Sequence, residues 1–324
     1  MKKMPLGTVL FVTKSGQREP SPLSQKRAKE NRPQWHLFAI FAKKDDMRII
    51  NLDEYELSGG GKLGESYINK SNPDELLKLY SKELEELGLS EYERACKVHE
   101  IGVPSPTPGE QVRTQDGRLG ILFKRVLGKK SYARALSQNP ENLQQYAQEF
   151  ADMCKQLHQT VPPKGLFPDV KEQYKKEMDL NPYLTAQEKE AINRFIDSLP
   201  DANTAVHGDL HHGNVIFTSE GKKYFIDLSD FCTGSPLFDL GIVLLQTCII
   251  PDEMIKELYH IDKPTSLAFW GAFVKAYFGA DAQPDQIKEM LMPYALLRII
   301  EVERHMGYCV NYIRPKVHQM IGLK

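Results

Sequence analysis

The chain has 324 residues, with 42 Lys+Arg against 43 Asp+Glu and a net charge of −1. That length exceeds one ordinary domain of about 100–200 residues and predicts two domains or one two-lobed unit. Hydrophobic residues at 41% and charged residues at 26% exclude global disorder, and the near-neutral balance excludes a general binder of nucleic acid or anionic membrane.

Five cysteines, Cys96, Cys154, Cys232, Cys248 and Cys309, are scattered without a C-x-x-C pair. This pattern is neither a disulfide framework nor a zinc ribbon, and it fits a reducing cytosol. The most apolar stretch, Leu240 to Ile250, is too short to span a bilayer, and the N-terminus lacks a signal-peptide core. A cytoplasmic location is expected.

Residues 1–46 carry ten Lys/Arg and four Asp/Glu, and Lys14 to Pro33 is polar, basic and without apolar period. They read as a basic extension outside the phosphate-handling part of the chain, possessing two short apolar pieces at Thr8–Thr13 and Trp35–Ala42. From Met47 to about Leu127 the pattern predicts mostly strands: Glu54–Leu57, Glu65–Lys70, Glu75–Tyr80, Gln111–Thr114 and Arg118–Val126. One helix is expected over Leu89–Ile101, and Asp116-Gly117 signals a hairpin. Beyond Gly128 helical spacing dominates, over Glu141–His158, Ala186–Leu199, Leu237–Ile250, Ser266–Phe278 and Asp285–Tyr308. Residues 204–233 are the exception, with β-like runs at Val215–Phe217 and Tyr224–Asp227. The expected architecture is α+β, with a β-rich lobe over 47–127 and an α-rich lobe over 128–324.

Gly59-Gly60-Gly61-Lys62-Leu63-Gly64 fits G-x-G-x-x-G, with Gly59, Gly61 and Gly64 at the marked positions. A dinucleotide fingerprint must open a helix, whereas here a further strand follows. Strand, glycine loop and strand is how kinase-type folds cover nucleotide phosphates. Lys78 lies in the apolar run Glu75–Tyr80, where a lysine is costly unless paired. A phosphate-gripping role, held by Glu91 or alternatively by Glu93, explains it. Glu91 shares a helical face with Ala95 and Val98.

The most informative stretch is Val206-His207-Gly208-Asp209-Leu210-His211-His212-Gly213-Asn214. Asp209 and Asn214 have the D-x-x-x-x-N spacing of a phosphoryl-transfer loop, in which the aspartate takes the hydroxyl proton and the asparagine binds magnesium. Asp227, thirteen residues later at the end of an apolar run, is suited to be a second magnesium ligand. A zinc site from His207, His211 and His212 would need a helix that Gly208 and Gly213 oppose.

The H-G-D-x-x-x-x-N stretch, the Ile226-Asp227 pair and Gly234-Ser235-Pro236-Leu237-Phe238-Asp239 together resemble the aminoglycoside phosphotransferase/choline kinase-like family, as do Gly102-Val103-Pro104-Ser105-Pro106 and Leu157-His158. The resemblance covers roughly residues 50–315 and implies a bilobal protein-kinase-like fold. It implies Asp209 as catalytic base, Asn214 and Asp227 as magnesium ligands, and Lys78 with Glu91 positioning the α/β phosphates. Asp239 would brace the catalytic loop and His207 would tie that loop to the segment around Asp227. The family usually has G-D-P where this chain has Gly234-Ser235-Pro236, and the role of Asp230 stays open. Adenine would be held near Phe123–Leu127.

The implied function is transfer of the γ-phosphate of ATP, or of GTP, to a hydroxyl of a small molecule with Mg2+. Two rivals stand beside it: an atypical protein kinase, opposed by Gly208 in place of arginine and by the lack of an A-P-E segment, and a nucleotide-binding pseudokinase or interaction module. Acceptor identity and oligomeric state are not legible. Residues 236–324 hold ten acids and nine Lys/Arg, without the acidic bias that polycationic substrates demand.

Overall fold

In the computed structural model, the described residues are 47–61, 64–306 and 310–323. They lie within one compact unit, residues 42–324. The expectations for the basic extension and for Lys62 and Leu63 fall outside the described residues.

Six strands form the first sheet: β1 (Arg48–Ile50), β2 (Tyr55–Gly61), β3 (Gly64–Asn69), β4 (Glu75–Leu79), β5 (Pro108–Thr114) and β6 (Leu119–Lys124). Their order is β1-β5-β6-β4-β3-β2, with β1 parallel to β5 and the other pairs antiparallel. Alternation in β4 sends Leu77 and Leu79 into a core with Ile50, Tyr55, Val112 and Leu122, and sends Lys78 to the opposite face. The Asp116-Gly117 turn joins β5 to β6 with Gly117 at φ +84°, a conformation that favours glycine.

Helix α1 (Glu85–Glu100) packs against β5 and β6. It begins four residues before the predicted start at Leu89. Gly88 lies within the helix, where an added Cβ would come within 2.8 Å of Leu119 and 2.9 Å of Tyr80. Close packing, not chain reversal, requires that glycine.

The rest is mainly helical: α2 (Tyr132–Gln138), α3 (Leu143–Gln159), α4 (Val170–Leu180), α5 (Ala186–Ser198), α6 (Leu237–Leu244), α7 (Asp252–Tyr259), α8 (Lys263–Phe278), α9 (Pro284–Met306) and α10 (Val310–Ile321). Helix α3 packs on α8, with Phe150 against Phe269 and Phe273, and α6 packs on α9. The buried run from Leu237 is not one α-helix, as the spacing predicts. It passes into a π-helical turn at Leu245–Ile249. Trp270 and Phe273 are buried core residues.

Two small sheets shape the loops between these helices. The β-like runs become β9 (Val215–Phe217) and β10 (Lys223–Phe225), joined by β7 (Lys130–Ser131), while β8 (Thr204–Val206) pairs with β11 (Cys232–Gly234). Strand β10 therefore stops two residues before Asp227, which the sequence places at the strand's end. Asp227 has left extended geometry, with φ +62°.

Candidate active site

The loop from His207 to Asn214 is held from beneath by Asp239, a fully buried residue in the first turn of α6. Its carboxylate accepts hydrogen bonds from the backbone N–H of His207 (2.8 Å) and Gly208 (2.9 Å), and lies 3.1 Å from His158 Nε2. Tyr277 Oη lies 2.8 Å from His158 Nδ1, so the imidazole is fixed at both nitrogens. Three partners offset the cost of burying this acid. Gly208 adopts φ +82°, and a Cβ there would fall 2.3 Å from the carbonyl oxygen of Asp230. Only glycine lets the loop and the Asp230 segment approach so closely.

The three histidines turn to different partners. His207 Nε2 donates to the carbonyl of Ile226 (3.0 Å), while its Nδ1 accepts the N–H of Asp209 (3.3 Å). This ring ties the loop to the segment bearing Asp227. His211 Nδ1 accepts the N–H of Gly213 (3.0 Å), which leaves its Nε2–H directed at Asp209 Oδ2, 3.7 Å away. His212 packs against Tyr259 and Phe269, and burial pushes it down to about 3, so it is neutral.

Asp209 and Asn214 meet as their spacing predicts. Asn214 Nδ2 donates to the Asp209 carbonyl (3.0 Å) and to its Oδ2 (3.1 Å). The amide nitrogen is thereby committed, and the amide oxygen faces the other way. The backbone carbonyl of Asn214 accepts the backbone N–H of Ile226 at 3.0 Å, which brings the Asp227 segment beside it. One oxygen of Asp227 then lies 3.4 Å from Lys78 Nζ.

Lys78 bonds Glu91 through both carboxylate oxygens, at 2.6 and 2.8 Å. Glu93, the alternative partner, bonds Lys97 instead. Burial alone would lower the Lys78 pKa, but Glu91 and Asp227 outweigh it and raise it, so the ammonium stays charged. Of the glycines, Gly59 and Gly60 form the end of β2 and pair with Ser66 and Glu65, and Gly61 pairs with Gly64. A Cβ at Gly59 or Gly60 would meet open space, whereas one at Gly64 would fall 2.5 Å from the carbonyl oxygen of Leu79. Gly59 and Gly60 thus leave the backbone approachable, and Gly64 serves packing on β4.

Arg298 of α9 is the residue that motif reading misses. Its Nη2 lies 3.0 Å from Asp209 Oδ1 and 3.6 Å from Asp230 Oδ2, and its Nη1 lies 2.9 Å from Glu301. Burial pushes the Asp209 carboxyl upward, but Arg298 and the neighbouring histidines outweigh it and hold the group below its ordinary value. Asp230 shows the opposite result, raised by burial. A cavity of about 510 Å3 opens on Asp209 and His211, with Arg134, Gln246, Tyr259 and His260 among its walls. That size suits a small organic ligand, whose pockets run to about 300–1,000 Å3.

The family model described as the phosphotransferase enzyme family matches residues 55–281, well over half of the chain. The chain belongs to that family. It is a phosphotransferase by family. A homoserine kinase from Pseudomonas aeruginosa (strain LESB58) is 25% identical over 249 residues, covering 69% of this chain and 73% of the relative. Among solved structures, an aminoglycoside-3'-phosphotransferase of type VIII superposes with a TM-score of 0.50 at 17% identity, over 74% of this chain and 93% of that one. The ADP-bound aminoglycoside phosphotransferase APH(2'')-Ib gives 0.52 at 15% identity, over 83% and 92%. These likenesses establish the bilobal kinase-like fold, with a mixed sheet followed by a helical region.

Proposed function

We propose that the protein transfers the γ-phosphoryl group of ATP to a hydroxyl of a small molecule, with Mg2+ as counter-charge. The observation that supports this reading best is a set of contacts that runs from Glu91 through Lys78 to Asp227, whose neighbour Ile226 donates its backbone N–H to the Asn214 carbonyl, and from Asn214 to Asp209. It gathers a phosphate-binding cation, two oxygen donors for a hard cation and a carboxylate base at one site. In this reading residues 47–127 hold the nucleotide and residues 128–324 carry catalysis and acceptor binding. Gly59 and Gly61 cover the phosphates while Gly64, packed on β4, closes the same loop, and Lys78, fixed by Glu91, grips them.

The donor set of Asn214 and Asp227 fits magnesium: both offer hard oxygens, the Asn214 amide is turned by its bonds to Asp209, and Asp227 is partly open to solvent. Magnesium bound there would neutralise phosphate charge. The remaining work falls to the chain. Asp209 orients the acceptor hydroxyl, for although Arg298 and Asn214 each engage one carboxylate oxygen, lone pairs remain. The bond from the γ-phosphorus to its bridging oxygen breaks and that electron pair leaves with ADP. The new P–O bond forms to the acceptor, whose proton passes to Asp209. The relative named homoserine kinase supports a small hydroxylated acceptor. GTP is the alternative donor.

The test is mass-spectrometric detection of a phosphate ester when the protein is incubated with ATP, Mg2+ and hydroxylated metabolites, with a chelator control. Ester formation that the chelator abolishes is expected. Hydrolysis without any phosphorylated acceptor, or phosphorylation of protein substrates alone, would contradict the reading.

A further inference from the structure

The cavity beside Asp209 is unevenly furnished. Its charged or titratable walls are Arg134, His211, His260 and Asp209, so the carboxylate that must meet the hydroxyl is the only acid. That acid is already matched by Arg298 at 3.0 Å. Arg134 is exposed on α2, and its guanidinium has no ion-pair partner among the described residues. Gln246 points the same way. Its Oε1 accepts the Tyr259 hydroxyl at 2.8 Å, which fixes the amide so that Nε2 keeps two hydrogens to donate. Gln246 lies in the π-helical turn Leu245–Ile249, a local irregularity that recurs at functional sites. The Tyr259 ring, the one phenol in the wall among the described residues, packs against His212 at 4.2 Å between ring centres, with the rings tilted by 46°. A cationic acceptor therefore finds no spare carboxylate among the described residues of this wall.

Resting on the kinase reading above, we infer that the acceptor is a hydroxy acid or hydroxy amino acid, whose carboxylate is bound by Arg134 and Gln246 while its hydroxyl meets Asp209. The guanidinium fork and the amide supply parallel N–H donors that match a planar carboxylate. Arg134 and Gln246 would be specificity-determining residues, outside the phosphoryl-transfer machinery itself.

The experiment measures phosphoryl transfer from ATP to matched pairs that differ only in the carboxylate: glycerate against glycerol, 4-hydroxybutyrate against 4-hydroxybutyramide, and homoserine against homoserine amide, with choline alongside. The acid of at least one pair is expected to exceed its partner at least tenfold in kcat/KM. Arg134→Gln should collapse that preference tenfold or more through the acceptor's KM, and Arg134→Lys, which keeps the charge but loses the fork, should fall between Arg134→Gln and the wild type. Preference for the neutral compounds or choline overturns the inference while leaving the kinase reading intact, as does an Arg134→Gln variant that raises the KM for ATP instead. Transfer to none of the compounds contradicts the kinase reading, and the inference with it.

Discussion

Arg298 holds Asp209 by a 3.0 Å contact between Nη2 and Oδ1, joining a helix near the end of the chain to a loop 89 residues earlier. The pairing keeps a largely buried carboxylate ionised, because the guanidinium outweighs the burial that would protonate it. A base held below its ordinary value of about 3.9 is weak but always available near neutrality. That suits a loose phosphoryl-transfer transition state, in which the proton leaves late.

The sign of the pH dependence follows. Transfer needs ionised Asp209, so the acidic limb of kcat/KM for the wild type should lie below the usual carboxylate range. Arg298→Gln removes the opposing charge and leaves burial, so the limb should move upward, towards neutral pH. Arg298→Lys should restore most of the wild-type profile. Profiles that superimpose for wild type and Arg298→Gln would show that the contact does not tune the base.

Lys78→Ala should weaken nucleotide binding tenfold or more, about 1.4 kcal/mol. The variant also leaves Glu91 buried without its partner, so a thermal-melting control belongs beside the titration. Unchanged nucleotide affinity in a folded variant would remove Lys78 from the phosphate site.

Asp227 calls for a particular substitution. Its φ of +62° is tolerated by asparagine but strains alanine, so Asp227→Asn separates charge from backbone. Turnover should fall by two orders of magnitude or more, with a melting temperature near that of the wild type and a raised magnesium requirement. Wild-type activity at low millimolar magnesium would exclude the residue as a ligand.

Gly208→Ala tests the packing of the loop. The added methyl would meet the Asp230 carbonyl at 2.3 Å, in a backbone conformation that itself costs roughly 1–3 kcal/mol for a side-chain-bearing residue. A clear loss of thermal stability is expected. A melting temperature equal to the wild type would show that the loop relaxes freely.

Local patterns were readable where the chemistry is local. The D-x-x-x-x-N spacing brought Asp209 to Asn214, and the helical face shared with Ala95 and Val98 selected Glu91 over Glu93. The helix of Glu91 starts four residues before Leu89 because Gly88, required by contact with Tyr80 and Leu119, is accommodated inside it. The short helices α2 and α7 present too few turns for apolar periodicity to show, whereas α4 carries Val170, Tyr174 and Met178 at i, i+4 and i+8. Arg298 had a signal that motif spacing could not supply: it interrupts the apolar run Tyr294-Ala295-Leu296-Leu297, as Lys78 interrupts β4. A charge there implies a partner, but only the packing of α9 on α6 says which one.

The most direct test of the account is Asp209→Asn, with turnover and nucleotide affinity measured on one preparation. The substitution keeps the shape of the side chain and removes the charge that orients the hydroxyl and accepts its proton. Turnover should fall by roughly 10²–10⁴-fold, the usual worth of a general base. Nucleotide affinity should move less than threefold, about 0.6 kcal/mol, because Lys78, Glu91 and Asp227 are untouched. Turnover that survives the change, or nucleotide binding that disappears with it, would contradict the assignment of Asp209 as the base.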